Sequence, residues 1–136
     1  MPPLRTYNLF ISHAWKYTDD YERLVKLLNP SRNFIWKNYS VPEDDPLAGG
    51  SRKKLAREIY NQIKLTSVVL VVSGIYVAHR EWLKYEIDLA DKFNKSIIGI
   101  KPRGAVYIPM SVRESAVEIV NWNDKSIISS IRRNAL

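Results

Sequence analysis

The chain has no cysteine, which excludes a disulfide framework, a thiol nucleophile and a thiolate metal site. Its two histidines, His13 and His79, stand far apart in sequence and make no ligand cluster, so metal chemistry is not expected. Glycine is scarce, at five residues, and none falls into G-x-G-x-x-G or G-x-x-x-x-G-K-[ST]; the Rossmann dinucleotide and P-loop readings both fail. The Gly49-Gly50-Ser51-Arg52 stretch is too short to stand in for either. No apolar run approaches the roughly 20 residues that cross a bilayer, and the opening Met1 to Arg5 carries no signal-peptide core. A cytoplasmic protein with no membrane partner is the expectation.

What is present is a balance of 46% apolar and 26% charged residues over 136 positions, enough to bury a core and consistent with a single domain spanning 1–136. The formal charge of +7 raises nucleic acid as a ligand, but the basic residues are scattered. Their densest group, Arg52, Lys53, Lys54 and Arg57, lacks the interleaved aromatics of a single-strand platform. A solvated basic face is the simpler reading, and nucleic acid is not the expected partner. Anionic ligands such as dinucleotides remain compatible with the charge.

Thr6 to Ser12 reads as a buried strand. A helix follows, capped by Asp19 or Asp20, with Tyr21, Leu24, Val25 and Leu28 on one face, and Asn29-Pro30 stops it. A strand at Asn33 to Trp36 leads into a polar loop, Lys37 to Gly50, and Ser51 opens a helix carrying Leu55, Ile59 and Ile63. Ser67 to Ser73 is a continuous apolar run of the kind buried on both faces of a sheet. After it come a helix from His79 to Phe93, a strand Ser96 to Ile100 and a turn Lys101 to Gly104. Ile108 to Ala116 is ambiguous, with a short helix after Pro109 as one reading; Val117 to Val120 reads as an edge strand and Ile127 with Ile131 marks a last helix. Strands alternating with helices predict a parallel sheet wrapped on both faces.

Ligands of such sheets bind beyond the carboxyl ends of the strands, where strand order reverses. That rule selects the segments after the strands: Ser12 to Trp15, Lys37 to Gly50, Ser73 to Tyr76 and Lys101 to Gly104. Glu86 interrupts the apolar stripe Trp82, Leu89, Ala90 and Phe93 on the helix after the third strand, with Trp82 one turn before it. A partly desolvated acid beside an aromatic plane can grip a ribose or a developing cation. The plainer alternative puts Glu86 at the stripe's edge, paired with Lys84 or Arg80. To join a site it has to lean over the strand ends from two turns inside its helix.

Other uses of the architecture lack their residues. A phospho-acceptor receiver needs acids where Ser12 and Ser73 stand. Neither serine lies in a nucleophile-elbow sequence, so both read as hydrogen-bonding or capping groups, and His13 as a group that orients its loop. A single acid, nearby hydroxyls and surplus positive charge fit cleavage of a nucleotide that carries its own good leaving group. Nicotinamide leaves NAD as a neutral base, so one carboxylate that stabilises an oxocarbenium-like ribose is sufficient. Two-carboxylate sugar hydrolysis lacks its second acid unless Asp44 or Asp45 folds in.

The segments YNLFISHAW, WKNYSVPEDDPL, SVVLVVSGIY and REWLKYEIDLA resemble the TIR-like proteins of the Thoeris anti-phage system over nearly the whole chain. The resemblance implies an α/β, flavodoxin-like TIR fold with a five-stranded parallel sheet in the order 2-1-3-4-5. It further implies an enzyme that cleaves NAD, as substrate and with no cofactor, into a cyclic or modified ADP-ribose signal. That signal would activate a separate effector protein, with a phage-derived trigger and a homo-oligomer as further expected partners. Carried over by motif, Glu86 is the expected catalytic residue. Phe10, Ser12, His13, Asn38, Tyr39, Ser40, Ser73 and Trp82 are the expected substrate-binding residues. Glu81 stands where many TIR domains have a small residue. Two other classes stay open: a non-catalytic TIR scaffold acting by self-association, and a nucleoside ribosyl-transfer enzyme, whose glycine-rich first loop is absent.

Overall fold

The computed structural model describes residues 5–12, 20–30, 34–40, 51–72, 80–101 and 110–135. Five strands, β1 (Thr6–Ile11), β2 (Ile35–Asn38), β3 (Val68–Val72), β4 (Ile97–Lys101) and β5 (Glu118–Asn121), form one parallel sheet in the order β2-β1-β3-β4-β5. Between and after them run α1 (Asp20–Leu28), α2 (Ser51–Leu65), α3 (Arg80–Lys92), α4 (Met110–Ser115) and α5 (Asp124–Asn134). The parallel sheet wrapped by helices is what the alternating pattern predicts, and its flavodoxin-like strand order is the one the family resemblance implies.

Strand side chains alternate between faces, and the two resulting cores sort cleanly. Leu9, Ile11, Val68, Leu70, Ile98 and Ile100 pack with α1 and α5; Phe10, Val69, Val71 and Ile97 pack with α2, α3 and α4. All five residues of β3 are buried because helices cover it on both sides, which is why its sequence is unbroken Val and Leu. The edge strands β2 and β5 are only partly covered and carry Lys37, Asn38, Glu118 and Asn121. Apolar spacing puts the second strand at Asn33 to Trp36, whereas it runs Ile35–Asn38. The ladder with β1, from Thr6 opposite Ile35 to Leu9 opposite Asn38, extends through two polar residues that an edge strand can leave in solvent.

Local signals set the helix ends. Asn94 adopts a left-handed φ of 56°, and the Lys95 N–H returns to the Ala90 carbonyl at 2.8 Å, closing α3. The Asn123 side chain accepts from Ser126 N at 3.1 Å and caps α5. α5 is fastened to β5 through Glu118, whose carboxylate accepts from the Ser130 hydroxyl, from Arg133 Nη2 at 2.8 and 2.9 Å and from Asn134 Nδ2 at 2.8 Å. These donors, Ser130 foremost and Arg133 next, hold the Glu118 carboxyl below the usual carboxylate range.

A carboxyl whose folded pKa lies below its unfolded one stabilises the fold above the unfolded value, and that contribution is lost as pH falls through the folded value. Urea midpoints should therefore drop more steeply between neutral and acid pH in the wild type than in Glu118→Gln, the two curves converging at the acid end. Parallel curves would remove this role. A second expectation concerns Gly99, where an added Cβ would lie 3.1 Å from Val112 Cγ1 and 3.2 Å from Ile119 Cγ1. Gly99→Val should overpack α4 against the sheet and destabilise by about 1–3 kcal/mol, read from the same urea curves.

Candidate active site

The alternation that sends Leu9 and Ile11 to one face sends Phe10 and Ser12 to the other, toward α2 and α3. Phe10 is fully buried against that core, and Ser12 follows it one step beyond the strand. The Ser12 N–H donates to the Leu70 carbonyl at 2.9 Å, carrying the β1–β3 pairing one residue past Ile11 opposite Leu70. The Ser12 hydroxyl is thereby aimed at α3, where it donates to Glu86 Oε1 at 2.7 Å. Both residues have 0% exposure.

Glu86 does not sit at the edge of its helix's apolar stripe. Leu83, Ile87, Leu89 and Ala90 around it are all buried, so the carboxylate occupies a position that packing would assign to an aliphatic side chain. Lys84, one of the cations the plainer reading pairs with it, is exposed. Withdrawing a carboxylate from water is expensive unless donors meet it, and the Ser12 hydroxyl is such a donor. The pair lies where the chain leaves β1 toward β2 on one side and β3 toward β4 on the other, the switch point at which open parallel sheets bind ligands.

Asn38, Tyr39 and Ser40 also reach this end of β1. Tyr39 N–H donates to the Leu9 carbonyl at 2.8 Å, Ser40 Oγ accepts from Ile11 N at 2.9 Å, and Asn38 Oδ1 accepts from Ser40 N at 2.9 Å. Gln62 on α2, which sequence reading misses, donates to the Tyr39 carbonyl at 3.2 Å. Its signal was its place three residues after Ile59 and beside Ile63, on the border of the buried stripe. Leu83 and Ile87 are likewise missed: the predicted stripe includes the buried Glu86, Leu89 and Ala90 but not these two, which widen the buried face. The backbone of Trp82 lies in α3 one turn before Glu86. His13, Ser73, Asp44, Asp45 and the stretch 41–50 of the polar loop lie outside the described residues.

Nearby, the Tyr85 hydroxyl donates to the Ala56 carbonyl at 2.9 Å and ties α3 to α2. Burial, and then the neighbouring Tyr60, push its phenol pKa up, so it remains a neutral donor. Among the described residues no group of three His, Cys, Asp or Glu side chains could hold a metal ion. No described helix is long and apolar enough to cross a membrane. An open groove along β5 and α5, lined by residues including Ile119, Asn121, Ser129 and Arg133, lies two strands away from the Ser12–Glu86 pair.

A family model for the TIR-like domain of Thoeris protein ThsB matches residues 10–107, a span that includes every element from the end of β1 through β4. The chain belongs to this Thoeris TIR-like family. That membership supports a role in Thoeris defence. No curated protein matches the chain. Among solved structures, the Thoeris TIR-like chain is similar to a 2-deoxyribosyltransferase from Bacillus psychrosaccharolyticus, with TM-score 0.59 and 12% identity over 82% of this chain and 84% of that one. It is also similar to the CMP N-glycosidase of Clostridium botulinum, with TM-score 0.51 and 13% identity over 93% and 98% of the two chains. At these identities the similarity is one of fold.

Removing the Ser12 hydroxyl leaves a buried carboxylate short of a donor. Ser12→Ala should lower stability by about 1–3 kcal/mol. A double-mutant cycle with Glu86→Leu should return a coupling of roughly 0.5–3 kcal/mol. Simple additivity of the two losses would show that the hydrogen bond contributes nothing.

Proposed function

We propose that this protein cleaves the nicotinamide–ribose bond of NAD and converts the ADP-ribosyl group into a cyclic or otherwise modified ADP-ribose that activates a separate effector during anti-phage defence. The observation that carries the proposal is the fully buried Glu86 carboxylate, hydrogen-bonded to Ser12 at the switch point of the sheet. Family membership supports the defence setting. The two similar folds are named for enzymes of N-glycosidic and deoxyribosyl chemistry, which adds weight to glycosidic cleavage.

In this reading the C1′–N bond breaks with its electron pair leaving on nicotinamide, so a cationic ring becomes a neutral base and no proton donor is required. Positive charge develops on the ribose, and the Glu86 carboxylate stabilises it electrostatically or as a transient nucleophile. A hydroxyl or ring nitrogen held elsewhere on the same ADP-ribosyl group then attacks C1′ and gives a cyclic product, or an external acceptor gives a conjugate. Proximity favours the internal group over water, since a well-oriented intramolecular nucleophile acts at a high effective concentration. NAD is the substrate and no further cofactor takes part.

Glu86→Gln should reduce nicotinamide release by on the order of 100-fold or more while circular dichroism and melting stay close to wild type. The assay includes extracts of phage-infected cells as activator, and chromatography with mass spectrometry identifies the products. Full turnover by a folded Glu86→Gln protein would overturn the mechanism. Linear ADP-ribose with no cyclic or conjugated species would reduce the proposal to simple hydrolysis. Absence of NAD turnover with and without activator, together with concentration-dependent self-association, would favour the scaffold.

A further inference from the structure

The β1–β2 ladder ends in an exchange of partners. With Leu9 opposite Asn38 and the Tyr39 N–H on the Leu9 carbonyl, a regular parallel ladder would next join the Ile11 N–H to the Tyr39 carbonyl. Neither group takes that partner. The Ile11 N–H donates to Ser40 Oγ at 2.9 Å, and the Tyr39 carbonyl accepts from Gln62 Nε2 at 3.2 Å. The Ser40 N–H folds back onto Asn38 Oδ1 at 2.9 Å, a side-chain turn at the end of the strand. Two side chains therefore replace one backbone bond, one residue before Ser12.

We propose that Ser40 is a positioning residue for Glu86, acting through Ile11 and Ser12, and that Gln62 assists it by keeping the Tyr39 carbonyl away from Ile11. Ser12 is held from both neighbouring strands: its own N–H is bound by Leu70 of β3, and the N–H before it is bound by Ser40 at the end of β2. With the backbone fixed on both sides, the Ser12 hydroxyl is held within reach of the carboxylate. Without the Ser40 oxygen, the Ile11 N–H loses its acceptor, the end of β1 drifts, and Glu86 loses its alignment. The inference deepens the glycosidic reading and rests on it for its kinetic readout. It differs from the expectation that Ser40 contacts substrate, because a group that only orients the acid changes kcat and a group that only binds substrate changes KM.

The test compares wild type, Ser40→Ala and Ser40→Thr, the last retaining the acceptor oxygen. Nicotinamide release should show kcat down about tenfold or more in Ser40→Ala with KM within roughly twofold, and Ser40→Thr should recover most of kcat, since small misplacements of a catalytic group are costly. In parallel, the carboxyl 13C resonance of Glu86 should move in Ser40→Ala and return in Ser40→Thr. Gln62→Leu keeps Ser40 but frees the Tyr39 carbonyl and should lower kcat in the same direction; it stands in should Ser40→Ala not fold. Wild-type kcat in folded Ser40→Ala, a raised KM at unchanged kcat, or a Ser40→Thr protein as impaired as Ser40→Ala would each overturn the proposal. If the wild type releases no nicotinamide, the glycosidic reading fails by itself. The resonance then decides alone: an unmoved Glu86 signal in Ser40→Ala and in Gln62→Leu overturns the positioning role.

Discussion

A carboxylate without solvent contact needs donors, and that requirement organises the end of the sheet where Glu86 sits. Its withdrawal from water opposes folding by several kcal/mol unless hydrogen bonds offset it. Ser12 supplies one, and can do so only if β1 ends where it does, if Ser12 keeps its bond to Leu70, and if α3 lies over β1 and β3 at this height. Leu83, Ile87 and Ala90 set that height by packing on Phe10, Val69 and Val71. The apolar core below and the polar pair above are therefore two parts of one arrangement.

The two faces of the sheet divide the work. The face toward α1 and α5 is an aliphatic core of Leu9, Leu70, Ile98 and Ile127, clamped at its far edge by the Glu118 carboxylate and its three donor residues. The face toward α2 and α3 adds to its core a buried acid, a buried hydroxyl and the Tyr85 phenol. Polar groups in a core are tolerated where they are satisfied, as the Ser12 hydroxyl is by Glu86 and the Tyr85 phenol by the Ala56 carbonyl.

Much of this was legible in the residues. The unbroken Val68 to Val72 run announced a central parallel strand, and the alternation of strands with helices announced the layers. Glu86 stood out because an acid interrupted a helical apolar stripe. Its depth was not legible: Leu83 and Ile87 lie beside the stripe that holds Leu89 and Ala90, and only their burial in the fold puts Glu86 inside the apolar face rather than at its edge. The second strand was displaced by two residues because Lys37 and Asn38 look like loop while backbone pairing makes them strand. Gln62 stood on the border of its helix's apolar stripe, but its bond to the Tyr39 carbonyl and the partner exchange at Ile11 were beyond reach, since a side chain replacing a backbone group depends on where two distant segments meet.

The exchange of partners at the end of β1 has a consequence for substitution. A backbone rung is indifferent to the side chains that flank it, whereas this one is made by the Ser40 hydroxyl on the Ile11 N–H and the Gln62 amide on the Tyr39 carbonyl. A single replacement at either position can therefore open the sheet edge beside Ser12, a vulnerability that an ordinary strand pair does not carry.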